Sequence, residues 1–411
     1  MTRRPPSQRL LLLLLASACT AAVPLAAGCG PRDDCTAHFK SGEDDQASIQ
    51  GALIGAQPGD TYCFDEGAFT FTDELSVSVN DVTLRGAGAA VTTLDFSGQI
   101  AGGNGVSSTA DGFTIEAMTV KNTPGDAIRV TGATGVTFRG VTVSWDAGSI
   151  TDNGAYGLYP VTCVNVLIED CEVVGASDAG IYVGQSSNII VRNSRAHGNV
   201  AGIEIENSTD AEVYDNEAYD NTGGILVFNL PNLPIGDGAR TSVHDNQVYM
   251  NNRPNFALAG AIVALVPVGL GILVMANDDT EIWANDIHDN DGSGFLVVSY
   301  STLEALGGSP ANDPAFDPYV EGCWVHDNTF TSNGAMPTGA LTLLMQPTLE
   351  DMLWDGTVSD PMTVTPADVL CLSANGSATF RNFDMPGVFA NQSTDATVHD
   401  CTRTPLPPVV F

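Results

Sequence analysis

Four side chains of chemically useful types recur along the middle of the chain at similar spacing. Arg129, Tyr159, Tyr182 and Glu204 lie 30, 23 and 22 residues apart, and each follows a small residue and then an isoleucine or leucine. Tyrosine rings stack on sugar faces, while arginine and glutamate hydrogen-bond sugar hydroxyls or carboxylates. As catalysts, Tyr or Arg would be the base in β-elimination or epimerisation of a uronide. Arg129 would then hold the substrate carboxylate, and Glu204 would act as acid or base.

Further polar and aromatic residues lie close to these four. Glu204 with Glu206 or Asp178 would form the carboxylate pair of a glycoside hydrolase. An insertion near the same strands supplies more candidates, and loops often carry function. We interpret five residues as substrate-binding: Asp152, Tyr156, Asp178, Glu206 and Phe228. An exposed surface without function is the alternative interpretation of the whole group.

A repeat of 22 or 23 residues positions these side chains. Its lines begin at Val166, Ile189 and Ala211, and each contains a short apolar strand, a polar corner, a second strand, a glycine turn and a G-I-x-[VI] strand. Such a repeat predicts an all-β fold, a right-handed parallel β-helix of nine or ten coils. Coils stack about 4.8 Å apart. The four residues should therefore lie on consecutive coils and face solvent.

Columns of matching residues test this register. Two places after the first position of each coil, every residue is apolar: Leu84, Ile115, Phe138, Ile168, Val191, Val213, Val243, Ile282, Val325 and Phe380. Two other columns are asparagine: Asn216, Asn246, Asn285 and Asn328, and then Asn199, Asn221, Asn251, Asn290 and Asn333. We predict that these form structural amide ladders. The column of Glu204 continues as Leu226, Leu273, Leu296 and Leu341, which we expect to pack under long insertions.

The chain divides into five segments on this interpretation. They are a signal peptide (1–28), a lipidated tether (29–45), an N-terminal cap (46–81), the β-helix (82–345), and a degenerate last coil with an irregular C-terminal cap (346–411). Apolar Ile49, Leu53 and Ile54 predict a helix over 45–57 that covers the first coil.

The N-terminus predicts export. Basic residues precede the run Leu10–Leu15, as in a secretory signal. Cys29 ends a segment similar to a bacterial lipobox and precedes a polar stretch, so we expect it to carry the lipid. Cys19 and cleavage without a lipid are the alternatives. This layout predicts an outer-membrane lipoprotein on the periplasmic or cell-surface side.

One stretch tests whether the chain spans the membrane elsewhere. Residues 256–276 carry no charge over 21 positions, but their end matches the G-I-L-V strand. We therefore expect a loop over a flank or an apolar patch, with 252–268 as a candidate contact for a protein partner.

Charge and cysteine content narrow the partners. A formal charge of −34 disfavours binding to nucleic acid and to anionic membranes, and also to polyuronates unless cations bridge.

In an exported protein, Cys35–Cys63 and Cys371–Cys401 are our predicted disulfides. We expect no cofactor and no metal. The alternative is Ca²⁺ at the Asp-Asn pairs, which otherwise form turns: Asp152, Asp215, Asp220, Asp245, Asp289 and Asp327.

Four runs carry a family resemblance: GAYGLYPV (154–161), ASDAGIYVGQS (176–186), GNVAGIEIENSTDAEVYDN (198–216) and NTGGILVFNLPNLP (221–234). They resemble a family of bacterial parallel β-helix repeat lipoproteins that has no assigned reaction. The chain is more remotely similar to the pectin-lyase-like superfamily of lyases, hydrolases and mannuronan C5-epimerases. It lacks the Asp-Pro-His motif of the epimerases and their calcium-binding nonapeptides. The resemblance therefore implies fold and export and says little about chemistry.

The sequence predicts an exported β-helix protein that engages a cell-envelope or extracellular polysaccharide along one flank, centred on 126–228. The first alternative is a polysaccharide lyase or uronate epimerase. The second is a structural surface protein without a catalytic site.

Overall fold

Three parallel sheets build the molecule. The computed structural model describes residues 34–42 and 45–411, so the predicted signal peptide and Cys29 lie outside the described residues. Sheet 1 contains 12 strands: Ala37–Phe39, Thr61–Phe64, Thr83–Gly86, Thr114–Glu116, Thr134–Arg139, Val164–Glu169, Ser187–Arg192, Thr209–Tyr214, Ala239–His244, Glu281–Trp283, Cys323–His326 and Leu370–Ser373. Sheet 2 contains 10 strands: Gly67–Thr70, Thr92–Asp95, Thr119–Lys121, Thr142–Ser144, Glu172–Val174, Arg195–His197, Glu217–Tyr219, Gln247–Tyr249, Asp286–His288 and Thr329–Thr331. Sheet 3 contains 11 strands: Leu75–Val77, Val106–Ser108, Ile128–Thr131, Tyr156–Val161, Ala179–Gly184, Ala201–Glu206, Gly223–Phe228, Leu270–Met275, Ser293–Val298, Met352–Trp354 and Phe380–Asn382.

Each coil gives one strand to each sheet in turn, so the predicted parallel β-helix is confirmed. The register is also the predicted one, because Val166 pairs with Ile189 and Ile189 pairs with Ala211. Inward side chains alternate with outward ones along every strand. From Leu84 to Val325 the predicted apolar column of sheet 1 is fully buried. The core is therefore a stack of aliphatic and aromatic layers running the length of the coils.

Both predicted asparagine ladders are present. In the first, Asn216 Nδ2 donates to Asn246 Oδ1 at 3.0 Å, and the ladder continues through Asn285 and Asn328. Asn375 extends it by one further coil, which the sequence reasoning missed. In the second, successive side-chain bonds of 3.0 to 3.1 Å run from Asn199 to Asn333. Each ladder also caps backbone groups at a corner, so it fixes where the chain turns.

The N-terminal end begins its first coil earlier than predicted. Three strands within 61–77 already supply all three sheets, inside the segment that we assigned to a cap. The predicted helix is present as α1 (Asp45–Ile54). Ile49 and Leu53 pack on the core as predicted, but Ile54 is 75% exposed. The helix ends at Ile54 and turns that side chain towards solvent.

The C-terminal end corrects one column. Leu372 pairs with Val325 in sheet 1, whereas Phe380 pairs with Met352 in sheet 3. The predicted assignment of Phe380 to the sheet 1 column is therefore wrong. Both residues point inward, and the intervening strand at Met352–Trp354 and helix α3 (Pro366–Val369) shift the coil boundary.

Insertions fold over sheet 3. They include α2 (Tyr300–Ala305) and 3₁₀ helices at Ile262–Leu265 and Gly339–Leu344; a third 3₁₀ helix covers Thr397–His399. Leu303 and Val263 pack against the leucine column, as predicted. Leu341 is not a member of that column, because Leu353 pairs with Leu296 there. Gly339, with a φ of 57°, starts a 3₁₀ helix that carries Leu341 over the sheet instead.

Two further predictions concern crossing of a membrane and the cysteines. No helix in the described part of the chain is long and apolar enough to cross a membrane. Disulfides join Cys35 to Cys63 and Cys371 to Cys401, as predicted. The thiols of Cys163, Cys171 and Cys323 are buried.

The Asp-Asn pairs form corners. Five of the six aspartates adopt φ values of 53° to 55°: Asp215, Asp220, Asp245, Asp289 and Asp327. Asp and Asn tolerate this left-handed region better than most residues. The turn interpretation is therefore confirmed for these five.

Candidate functional site

The four residues predicted to stack do lie on consecutive strands of sheet 3. Arg129 pairs with Tyr159, and Tyr182 pairs with Glu204. The rings of Tyr159 and Tyr182 approach with centroids 4.8 Å apart. One step further, Glu204 pairs with Leu226. The column is thus continuous from Arg129 into the leucines.

Alternation within each strand and a row of glycines fix this column. In Ala201–Glu206, Ile203 and Ile205 point into the core, so Glu204 and Glu206 point outward. A side chain could not replace Gly202, because its Cβ would lie 2.8 Å from Asn221 Nδ2 of the ladder. In the G-I-x-V pattern, the glycine is therefore required by packing against the asparagine ladder, and the alternating apolar residues are required by the strand.

The prediction that this column faces solvent is wrong for most of its length. Tyr182 is 3% exposed and Glu204 is 2% exposed. The segment 261–267 and helix α2 lie over the sheet at this level. Arg129, whose side chain is 41% exposed, lies beyond this cover. The column is therefore open to solvent at Arg129 and forms the floor of a covered cleft from Glu204 onward.

A carboxyl cluster, defined as Asp178, Glu204 and Glu206, lies at the centre of the cleft. Tyr156 Oη donates to Asp178 Oδ2 at 3.3 Å. Gln185 Nε2 lies 3.1 Å from Glu206 Oε1 and 3.2 Å from Tyr182 Oη. Glu204 Oε1 is buried and has no hydrogen-bond partner. One buried oxygen of the cluster is thus left for a ligand.

Burial changes the protonation of this cluster. Burial raises the pKa of Asp178 to about 7, and a hydrogen bond from Tyr156 opposes the shift. Burial also raises the pKa of Glu206 to about 7 and raises the pKa of Glu204 well above its ordinary value. Neighbouring carboxylates reinforce both shifts, because like charges disfavour ionisation. At neutral pH the cluster therefore holds protons that it can donate.

Burial also raises the pKa of the tyrosines beside the carboxyl cluster. Burial raises the pKa of Tyr156, Tyr159 and Tyr182, and the adjacent carboxylates add to the shift. Arg129 opposes it at Tyr159, over whose ring its guanidinium lies at 5.0 Å. These phenols are therefore held in the neutral form, in which they hydrogen-bond but do not abstract protons.

A charged pair lies at the exposed end of the column. Arg129 Nη1 lies 3.7 Å from Asp126 Oδ2. Burial raises the pKa of Asp126 to about 6, although Arg129 opposes the shift. Tyr159 stands between this pair and the carboxyl cluster, with its ring 4.5 Å from that of Tyr156. The column thus runs from a charged pair through aromatic rings to buried acids.

The cleft is a single cavity of about 350 Å³, which includes the carboxyl cluster and is otherwise mostly apolar. Its floor continues the column with Leu226, Leu273 and Leu296, and the roof comes from 261–267 and α2. Phe228, predicted to bind substrate, lines this cavity. Among the described residues that line it, none is basic.

The structure brings most predicted site residues together. Tyr156, Asp178, Glu206 and Phe228 line the cleft. Asp152 does not, because it lies on an exposed turn of its insertion. That turn contacts the insertion that carries the roof, since Thr151 Oγ1 donates to Phe256 O.

Sequence reasoning missed other members of the site. Asp126 lies three residues before Arg129, and Gln185 directly follows the strand that contains Tyr182. Their closeness in sequence to the predicted site residues was the signal that could have identified them. Nothing in the repeat indicated that 261–267 would form the roof, because insertions lie outside the register.

Comparison with known proteins supports the fold. A family model described as the right-handed β-helix region matches residues 102–309. No curated relative matches the sequence. The chain is similar to the A-modules of two mannuronan C-5 epimerases from Azotobacter vinelandii, AlgE4 and AlgE6. Both comparisons have a TM-score of 0.54, and the sequence identities are 17% and 16%. Each match covers 82% of this chain and 92% of the module. Similarity at this level shows a shared fold.

Proposed function

This chain belongs to the right-handed β-helix family, and from that premise we propose that it binds a polysaccharide or other glycan along sheet 3. The observation that carries the proposal is the covered cleft in which three carboxyls, Asp178, Glu204 and Glu206, lie beside Tyr156 and in which Glu204 Oε1 has no hydrogen-bond partner in the described chain. Convergent polar groups in a concave site are the usual mark of ligand binding. Carboxyl and phenol groups are suited to the many hydroxyls of a sugar.

The charge of the cleft restricts which kinds of glycan it can bind. Arg129 lies beside Asp126, whereas Asp178, Glu204 and Glu206 line the cavity with no basic residue among its described lining residues. A uronate would bring its own negative charge next to these groups, which disfavours it unless cations bridge. A neutral or amine-bearing sugar meets no such repulsion. The two similar solved structures are mannuronan epimerases by name; the proposal for this chain depends on its own cleft.

Hydrolysis of a glycosidic bond is the second candidate. It is favoured by the raised pKa values of Asp178 and Glu206, both about 7. A carboxyl that stays protonated near neutral pH can serve as the general acid of a glycosidase. Lyase or epimerase chemistry with a tyrosine base is disfavoured, because burial raises the pKa of Tyr159 and Tyr182.

Export and lipidation remain part of the proposal. The basic and apolar layout of 1–28 supports a signal peptide, and Cys29 is the proposed lipid attachment site. Both disulfides fit an oxidising compartment. Mass spectrometry of the mature N-terminus tests this: a diacylglycerol on Cys29 supports it, and an unprocessed Met1 contradicts it.

Glycan-array binding tests the main proposal. The mature protein should bind neutral or amine-bearing glycans, and Glu206→Gln and Tyr159→Ala should weaken binding at least about tenfold, since a buried hydrogen-bonding group left without its partner costs about 1–3 kcal/mol. Glu217→Gln, on sheet 2, is the matched control for removing one carboxyl. Binding unchanged by both cleft variants would overturn the proposal. New reducing ends would establish hydrolysis, and ultraviolet-absorbing unsaturated ends would establish a lyase.

A further inference from the structure

Apart from the carboxyl cluster, Tyr156 and Thr302, the lining of the cavity is apolar. Its floor is leucine over three consecutive coils, and Met275, Val298 and Phe228 form the adjoining column. Val263 and Leu303 close it from above. Ligand pockets usually have volumes of about 300 to 1,000 Å³, and the whole cavity, carboxyl cluster included, reaches about 350 Å³. Its apolar part has the surface of a site for an alkyl or acyl chain.

The carboxyl cluster lines the same cavity as the leucines. Glu204 and Leu226 are direct partners on neighbouring strands, so the surface changes from carboxyl to leucine within one coil step. A ligand that follows the column would pass from hydrogen-bonding groups to apolar groups over about 4.8 Å. That change matches a molecule with a polar head joined directly to an apolar tail.

The unpartnered oxygen lies at this junction. Glu204 lines the cavity, is 2% exposed, and its Oε1 has no hydrogen-bond partner in the described chain. Buried polar atoms are normally hydrogen-bonded, so an orphan oxygen facing an apolar cavity points to a missing ligand donor. A hydroxyl or amine at the first atoms of the head group would satisfy it.

The carboxyl cluster disfavours an anionic head group. Among the described residues lining the cavity, Asp178, Glu204 and Glu206 are the ionisable carboxyls, and none is basic. A phosphate or a fatty-acid carboxylate would lie against these acids without a cation nearby. The glycosyl head of an uncharged or amine-bearing glycolipid avoids this cost.

We propose that the cavity holds the alkyl or acyl chain of a glycolipid whose sugar occupies the carboxyl cluster. This inference rests on the proposed glycan binding, because the sugar site supplies the head-group contacts. Ile262, which is 37% exposed, and partly exposed Leu306 line the cavity. The roof therefore reaches the surface where a chain can enter. The apolar roof explains why this face is not an open polysaccharide groove.

Titration calorimetry with glucose and with butyl, hexyl and octyl β-glucosides tests the inference on the mature protein. Affinity should rise about three- to fourfold per added methylene, the gain for burying one methylene. Ala261→Trp, which fills the roof, should abolish this dependence. Leu258→Trp is the matched control, because Leu258 lies on the same segment but is 65% exposed; it should keep the dependence.

The outcomes separate this inference from the glycan proposal. Glucose binding with no gain from the alkyl chain would overturn the glycolipid inference and leave glycan binding standing. Equal binding of octanol and octyl glucoside would overturn the glycan proposal, and with it the glycolipid. Crosslinking of a diazirine-bearing alkyl glucoside to the unmodified protein does not depend on any variant folding. It should label peptides within 261–267 or 302–306, and labelling only elsewhere would overturn the inference.

Discussion

Glu204 and Leu226 are direct register partners in sheet 3, and at this step the outward column changes from polar to apolar. On one side, carboxyls and tyrosines meet under a partial cover. On the other, leucines form the floor of a cavity beneath 261–267 and α2. The same stacking that builds the core thus sets two chemically different surfaces one coil apart. This junction is the basis of the proposed ligand.

Replacing one carboxyl of the cluster should change how stability depends on pH. The pKa of Glu206 is raised by burial to about 7 in the fold. A raised carboxyl pKa destabilises the native state as pH rises from the unfolded pKa through the folded one, because the unfolded chain loses its proton first. Glu206→Gln removes that loss. Its free energy of unfolding relative to wild type should therefore rise by about 3 kcal/mol between about pH 4 and pH 8.

Urea unfolding of both proteins at the two pH values measures this difference. Glu217→Gln serves as the control for the general effect of removing a carboxyl. A difference between Glu206→Gln and wild type that does not grow with pH would contradict the described burial of Glu206.

Breaking an asparagine ladder should destabilise the fold. Asn251 is fully buried, donates to Asn290 Oδ1, and accepts from Asn221 Nδ2. Asn251→Ala leaves buried partners unsatisfied, at about 1–3 kcal/mol for each. Chemical denaturation should show a loss of at least about 2 kcal/mol. Asn312→Ala, on an exposed loop, should stay within about 0.5 kcal/mol of wild type; equal effects of the two variants would argue against the ladder.

The buried thiols should be unreactive in the native protein. Burial raises the pKa of both Cys171 and Cys323 to about 12, so little thiolate forms near neutral pH. Maleimide should leave the peptides containing these cysteines unmodified until urea unfolds the chain. Peptide mapping of the native and unfolded samples measures this. Rapid labelling of either peptide in the native state would show that these positions are not in the core.

The N-terminal disulfide should stabilise the first coil. The disulfide joins Cys35, which precedes the first strand of sheet 1, to Cys63 in the second strand, 28 residues later in the chain. Loss of a crosslink of this kind usually costs about 2–4 kcal/mol. The double variant Cys35→Ser with Cys63→Ser should unfold at lower denaturant concentration than wild type. Reductant should lower the unfolding midpoint of wild type and should not change that of a variant that lacks both disulfides. If wild type and the double variant had the same midpoint without reductant, the prediction would be wrong.

The repeat predicted most of the fold because, in a stack of coils, residues one period apart become neighbours. The alignment of Arg129, Tyr159, Tyr182 and Glu204 follows from that rule, as do both asparagine ladders. Phe380 was misplaced because inward apolar residues look alike in every sheet.

The burial of the site was not predictable in the same way. It depends on the path of 261–267 and α2, which lie outside the repeat and fold back over strands formed much earlier in the chain. Leu341 copied the local pattern of a strand, yet it lies in a 3₁₀ helix because the following coil already supplies Leu353. The repeat period therefore predicted which residues form the column, and the insertions determine whether that column is exposed or covered.

A crystal structure of the mature protein with octyl β-glucoside would show the proposed ligand in place. We expect the sugar against Asp178 and Glu206, a head-group hydroxyl on Glu204 Oε1, and the alkyl chain along Leu226 and Leu273. A sugar bound on another face, or a roof segment packed into the cavity with no ligand at saturating concentration, would contradict the proposal.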